Sequence, residues 1–271
     1  MRYRVNKFFA VALGTLLLSA CGEIVPDPEP EPEPDPQPEV VYEDEPEQTI
    51  RDLEIQSVVM KQTMKYSVWL PEGFNRGKKY PILYLLHGAG DDQNSWLDKG
   101  RAWAYGRNYI EDGGEPMIIV MPDAQMSFYK NNGYEIYFRE ELMNNVEEAY
   151  PFNGKRAVAG LSMGGFGTVY YALKYPEKFT YAYSMSPALN SSLNQYIDAQ
   201  SDKSVFPPFT IEVGLQDHTV NNEDARALME YMLSNGLQCD WIERNGGHTW
   251  DFWKACLQKA LVIIGDSFKE Q

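Results

Sequence analysis

Gly160-Leu161-Ser162-Met163-Gly164-Gly165 follows a short apolar run, Arg156-Ala157-Val158-Ala159, and sets a serine between glycines where that run ends. A G-x-S-x-G segment turns from strand to helix so sharply that its serine takes a strained backbone conformation, and a side chain at either flanking position would collide. The strain lifts the hydroxyl clear of the sheet. It also aims the amide of the next residue, Met163, at the place where an oxyanion would form. Chance supplies such a pentapeptide in roughly one chain in ten of this composition, so its surroundings decide its meaning. Downstream, Phe166 to Tyr175 reads as a helix stopped by Pro176, and Phe179 to Met185 as the next strand.

Outward from the elbow the pattern alternates. Leu53 to Met60 and Met64 to Leu70 read as an antiparallel hairpin turning at Lys61-Gln62-Thr63. Strands are expected at Pro81–Leu86, Met117–Met121, Arg156–Ala159, Phe209–Val213 and Gln238–Glu243, and helices at Tyr105–Glu111, Tyr134–Ala149, Glu223–Asn235 and Trp250–Ile264. Short apolar strands alternating with helices predict an α/β domain with a mostly parallel sheet, antiparallel at its N-terminal end and covered by helices on both faces. Ligands of such sheets bind at the carboxyl ends of the strands.

A serine hydroxyl needs a base to take its proton, usually histidine, and the histidine needs an acid to fix its tautomer. Three histidines are available. His248, in Gly246-Gly247-His248-Thr249-Trp250, lies between the last strand and the last helix, at the carboxyl edge. His218 adjoins a candidate acid, and His87 ends a strand within Leu85-Leu86-His87-Gly88-Ala89-Gly90, where a structural role is expected of its ring. Asp217 follows Phe209–Val213 across Gly214-Leu215-Gln216 and is the expected acid; Asp251, at the start of a helix, is the competitor. The order Ser, Asp, His is that of α/β-hydrolases. The second oxyanion donor is expected in the loop after an early strand, at the backbone amide of Ala89, to pair with that of Met163. Trp96, Phe128, Tyr129 and Trp250 lie on loops after predicted strands and are candidates to line the substrate cleft.

The N-terminus carries a different message. Arg2, Arg4 and Lys7 precede the apolar run Phe8 to Ala20, which meets Leu18-Ser19-Ala20-Cys21: a secretory signal over residues 1–20, too short for a permanent membrane span. Leu-Ser-Ala-Cys resembles a bacterial lipobox, which implies lipidation of Cys21 and a membrane anchor; an ordinary signal peptide with an incidental cysteine is the alternative. Residues 21–48 are rich in proline and acid, with eleven Asp or Glu between Glu23 and Glu47 and no Lys or Arg, and are expected to form an extended stalk ahead of a domain at 49–271. Its Pro26–Glu39 part would reach on the order of 40 Å. Removing these eleven acids and the three leader cations from the net −15 leaves −7 for residues 48 to 271, and no basic patch for nucleic acid. Cys239 and Cys256 are the other cysteines, with a disulfide permitted but not required. No metal-binding spacing occurs, and no metal or cofactor is expected.

Five segments together carry a family resemblance: YLLHGAGDDQNSW (Tyr84 to Trp96), MPDAQMSFY (Met121 to Tyr129), VAGLSMGGFGTVYYALKYPEKF (Val158 to Phe179), VGLQD (Val213 to Asp217) and GGHTWDFW (Gly246 to Trp253). In these the chain resembles the esterase D-like branch of the α/β-hydrolases and, within it, carbohydrate esterase family one, which contains feruloyl and acetylxylan esterases. The resemblance implies an α/β-hydrolase fold with Ser162 as nucleophile, Asp217 as acid, His248 as base, and Ala89 and Met163 as oxyanion donors. For an exported, anchored protein on the outer membrane, at the cell surface or its periplasmic face, it implies an ester-decorated polysaccharide as substrate. Hydroxycinnamoyl esters are expected first and acetyl esters second. A siderophore-type esterase and a glycan-binding protein without activity are the alternatives.

Overall fold

A computed structural model describes residues 42–269; the expectations for Cys21, the leader and the acidic stretch up to residue 41 lie outside the described residues. The strands are β1 (Gln48–Ser57), β2 (Gln62–Leu70), β3 (Tyr80–Leu86), β4 (Ile118–Pro122), β5 (Phe152–Leu161), β6 (Tyr181–Met185), β7 (Phe209–Gly214) and β8 (Cys239–Arg244). They form one sheet in the order β1-β2-β4-β3-β5-β6-β7-β8. β2 pairs antiparallel with β1 and β4, and every pairing from β4 to β8 is parallel. This is the expected architecture, a mostly parallel sheet with an antiparallel N-terminal edge.

The helices are α1 (Ser95–Asp98), α2 (Ala102–Glu111), α3 (Tyr134–Ile136), α4 (Met143–Ala149), α5 (Met163–Lys174), α6 (Asn194–Ala199), α7 (Asn222–Ser234) and α8 (Trp250–Lys269). Both faces of the sheet are covered, so β3, β4, β6 and β7 are buried at every position and not at alternate ones. Along β3, Ile82, Tyr84 and Leu86 enter the core that contains residues of α5 and α7, while Leu83 and Leu85 enter the core under α2 and α8. α5 is buried from Met163 through Leu173, which is why its sequence is apolar all round.

The helix expected over Tyr134–Ala149 contains a π-helical turn, Tyr137–Leu142, between α3 and α4. Tyr134, Phe138, Leu142, Val146 and Tyr150 are all buried and recur every fourth residue. A strict spacing of four drifts around an α-helix of 3.6 residues per turn, and one wider turn brings the stripe back toward the core. The hairpin turn falls at 58–61, two to three residues before the expected Lys61-Gln62-Thr63. The acidic stretch does not run free to residue 48: Glu45 bridges Phe74, Asp44 meets Lys78 at 3.2 Å and Glu47 accepts from Arg107 at 2.7 Å. Cations on the domain draw this end of the stretch onto it.

Candidate active site

Ser162 sits between the end of β5 and the start of α5 with φ 53° and ψ −115°, a left-handed conformation that a non-glycine residue adopts only when its surroundings impose it. The surroundings are tight. A Cβ on Gly160 would lie 2.6 Å from the Gly164 carbonyl oxygen, and one on Gly164 would lie 2.6 Å from that of His87. Glycine is required at both flanks because backbone passes against backbone there. The Ser162 amide donates to Met185 O at 2.9 Å, and the amide of Ala188 donates to Ser162 O at 3.3 Å, so the segment after β6 braces the elbow from the other side.

The Ser162 hydroxyl lies 2.9 Å from His248 Nε2, and His248 Nδ1 lies 2.7 Å from Asp217 Oδ2. Asp217 has a fully buried side chain, and its other oxygen, Oδ1, accepts the amides of Thr219 at 2.9 Å and Val220 at 3.3 Å. The carboxylate is thereby fixed in rotation, with one oxygen committed to backbone and the other to the imidazole. Since an ionised carboxylate only accepts, His248 Nδ1 carries the proton and Nε2 is left to accept from Ser162. The competing acid is elsewhere: Asp251 is exposed and pairs with Lys254 at 2.7 Å. His218 is exposed and plays no part in this chain of contacts.

Met163 is the first residue of α5, where helical amides have no partner within the helix. Ala89 lies in the turn after β3, and its amide makes no hydrogen bond among the described residues. That turn is beside the serine, since a Cβ on Gly88 would lie 3.5 Å from Ser162 Cβ. Three successive carbonyls of the turn are held from behind. Leu86 O accepts Trp96 Nε1 at 3.0 Å, His87 O accepts the Tyr129 hydroxyl at 2.9 Å, and Gly88 O accepts His87 Nδ1 at 2.7 Å. In a trans peptide the N–H points opposite to the carbonyl, so holding Gly88 O orients the amide of Ala89. His87 is buried and neutral in this arrangement, because its Nε2 accepts the amide of Ala124 at 2.8 Å.

These contacts correct two expectations. Trp96 and Tyr129 are fully buried and bind the backbone of the turn, so they line no cleft. Loop aromatics with a polar tip find a buried backbone acceptor here, a choice that residue type alone does not reveal. Trp250 is half-buried, packed edge-on against Trp96 at 5.2 Å and Trp253 at 5.4 Å, and Trp253 is edge-on to His248 at 4.8 Å. Phe128 is half-buried against Phe166.

A buried charge cluster that leaves no local signal in the sequence fixes the loop carrying His248. The fully buried carboxylate of Glu212 on β7 accepts from Tyr183, Arg244 and Lys259. Arg244 ends β8 and also donates to Phe252 O in α8 at 2.6 Å, tying together the two ends of the His248 loop. Burial raises the Glu212 carboxyl, but the hydrogen bonds of Tyr183, Arg244 and Lys259 outweigh it and hold the group below the usual carboxylate value. Cys256, whose Sγ is 3.1 Å from Arg244, and Cys239 are both free thiols, with burial pushing Cys239 up to about 12. Ser186, after β6, has φ 43° and a buried hydroxyl without a partner among the described residues.

A parallel sheet with an antiparallel N-terminal edge, a strained serine elbow and an Asp and a His on later loops defines an α/β-hydrolase. The chain belongs to the Esterase family: the family model ("Putative esterase") matches residues 57–264. Among curated relatives it is 30% identical over 211 residues to the endo-1,4-beta-xylanase/feruloyl esterase of Xylanibacter ruminicola, covering 71% of this chain and 28% of that protein. It is 26% identical over 223 residues to the acetyl esterase of Caldicellulosiruptor saccharolyticus, covering 66% of this chain and 81% of that one. A solved ferulic acid esterase superposes with a TM-score of 0.76 at 26% identity, covering 82% of this chain and 99% of that structure. The chain thus spans little more than a quarter of the first relative and most of the other two.

Proposed function

We propose that this protein is a serine carboxylic ester hydrolase that releases hydroxycinnamoyl groups from plant cell-wall polysaccharide. The observation that carries the reading is the Ser162–His248–Asp217 hydrogen-bond chain at 2.9 and 2.7 Å on a strained elbow. In this reading His248 takes the Ser162 proton as Oγ attacks the ester carbonyl. The tetrahedral oxyanion is held by the amides of Ala89 and Met163, each donor contributing about 2.7–4 kcal/mol to the transition state. His248 then passes the proton to the departing alcohol, leaving an acyl-serine, and a water deprotonated by His248 attacks it and frees the acid. Asp217 holds the tautomer and stabilises the imidazolium throughout. No step requires a metal.

The feruloyl preference draws its support from the xylanase/feruloyl esterase and ferulic acid esterase relatives. The acetyl esterase relative makes acetyl the second acyl group. Leu18-Ser19-Ala20-Cys21 supports a lipid anchor at Cys21 and placement on the outer membrane. Replacing Ser162 with Ala is expected to abolish turnover of p-nitrophenyl acetate with the fold intact, and surviving activity would contradict the assignment. Feruloylated and acetylated xylo-oligosaccharides assayed side by side decide the acyl group.

A further inference from the structure

Between the β1–β2 turn and the loop after β4 lies a groove of about 470 Å³ lined by Met60, Gln62, Gln125, Met126, Ser127 and Asn132. β2 runs antiparallel to β4, with Tyr66 opposite Pro122, so the turn before β2 stands at the carboxyl end of β4. The groove therefore opens on the edge that carries Ser162. The loop that forms one of its walls is also bonded to the turn beside Ser162. Gln125 follows Ala124, whose amide is bonded to His87, and His87 leads into Gly88 beside Ser162. A larger groove of about 700 Å³, lined by Lys155, Thr180, Pro208 and Leu237 among others, lies at the amino ends of β5–β8, on the opposite edge.

We infer that the groove between the hairpin turn and the loop after β4 binds the sugar that carries the ester, so that the polysaccharide side of the substrate, and not the acyl group, is recognised there. The lining is uncharged. Gln62, Gln125 and Asn132 present exposed carboxamides, each able to donate and accept at once, as vicinal sugar hydroxyls require. Met60 and Met126 offer polarisable thioethers to the C–H faces of a pyranose ring. An aromatic acyl group would call instead for a mostly apolar slot.

Both walls are set before anything binds. Glu141, on the π turn, accepts the Ser57 hydroxyl and the amides of Val58 and Val59, both at 3.0 Å, which fixes the hairpin turn. Opposite, Gln125 at φ 50° and Asn132 at φ 56° stand in left-handed conformations. Asp123 accepts the Gln125 amide at 2.7 Å, and Ser127 accepts that of Tyr129 at 3.1 Å. A pre-formed groove spends little binding energy on ordering itself.

The inference rests on the ester-hydrolase reading, and the experiment separates the two. A Gln62→Ala/Gln125→Ala double variant is compared with the wild type on a methyl ester and on a xylo-oligosaccharide ester of the same acid. The ratio of kcat/KM, oligosaccharide to methyl ester, is expected to fall about tenfold, mostly through KM, on the scale of one or two lost hydrogen bonds. An unchanged ratio overturns the inference, and so does a larger loss on the methyl ester, which would assign the groove to the acyl group. As a check independent of turnover, unesterified xylo-oligosaccharide is expected to bind the wild type in a calorimetric titration and to bind the double variant about tenfold more weakly, and absence of binding or equal binding by the two proteins also overturns the inference. Failure of the hydrolase reading looks different: the wild type turns over neither ester.

Discussion

Replacing Asp217 with Asn tests the tautomer argument, because the structure dictates which way the new amide must face. Oδ1 accepts two backbone amides, from Thr219 and Val220, and a carboxamide NH2 placed there would oppose donor to donor. The carboxamide oxygen therefore stays on the backbone side and the NH2 turns to His248 Nδ1, 2.7 Å from the carboxylate in the wild type. Nδ1 must then accept, the ring proton moves to Nε2, and the nitrogen facing Ser162 becomes a donor unable to take the serine proton. In the serine protease where the same change has been made, kcat falls about 10⁴-fold, close to 5.5 kcal/mol of transition-state stabilisation. A loss of about 10³–10⁴ in kcat is expected here, with KM nearly unchanged. Steady-state hydrolysis of p-nitrophenyl acetate measures it, with Asp251→Asn as the exposed control, expected within about twofold of wild type. A loss under about tenfold for Asp217→Asn, or an equal loss for Asp251→Asn, would mean that Asp217 does not set the tautomer of His248.

Tyr129→Phe removes the hydroxyl that holds His87 O and leaves a buried carbonyl unpaired; a stability loss of about 1–3 kcal/mol is expected by urea unfolding, with kcat reduced more than KM. Glu212→Gln breaks a buried charge cluster and is expected to cost about 3–5 kcal/mol, read as a lower urea midpoint. The Glu212 carboxyl is held below its unfolded value of about 4.3, so its contribution is complete above that pH and is lost as pH falls through the lower folded-state value. Wild-type unfolding midpoints measured from pH 6 downward should fall below about pH 4, with the variant showing a shallower decline. At the alkaline end, burial pushes Tyr150 up to about 12 and lifts Tyr84, Tyr129, Tyr134 and Tyr171 well above the ordinary tyrosine value. Their stabilisation is complete below about pH 10 and declines above it, so tyrosinate absorbance should rise together with loss of helix signal.

That Ser162, Asp217 and His248 stand together at the carboxyl edge was legible in the chain because each placement needs only a local reading: a residue type on a turn at the end of a strand. The sheet was legible for the same reason, since strands buried on both faces are continuous apolar runs. The roles of Trp96 and Tyr129 are not legible in the sequence, because a loop aromatic can face either the cleft or the backbone beneath it. Only the positions of Leu86 O and His87 O, fixed by tertiary contacts, decide between them. Glu212 and Arg244 are 32 residues apart, and nothing local shows that β7 and β8 bring them together. The π turn left a trace in the period of four from Tyr134 to Tyr150, which a search for ordinary helical spacing passes over.

Covalent labelling asks whether Ser162 is the nucleophile. After reaction with a fluorophosphonate, peptide mass spectrometry is expected to place a single phosphonyl adduct on Ser162, with turnover lost in proportion to labelling and no adduct in Ser162→Ala. An adduct on another residue, such as the buried Ser186, or ester turnover that persists in the fully labelled protein, would rule out Ser162 as the nucleophile.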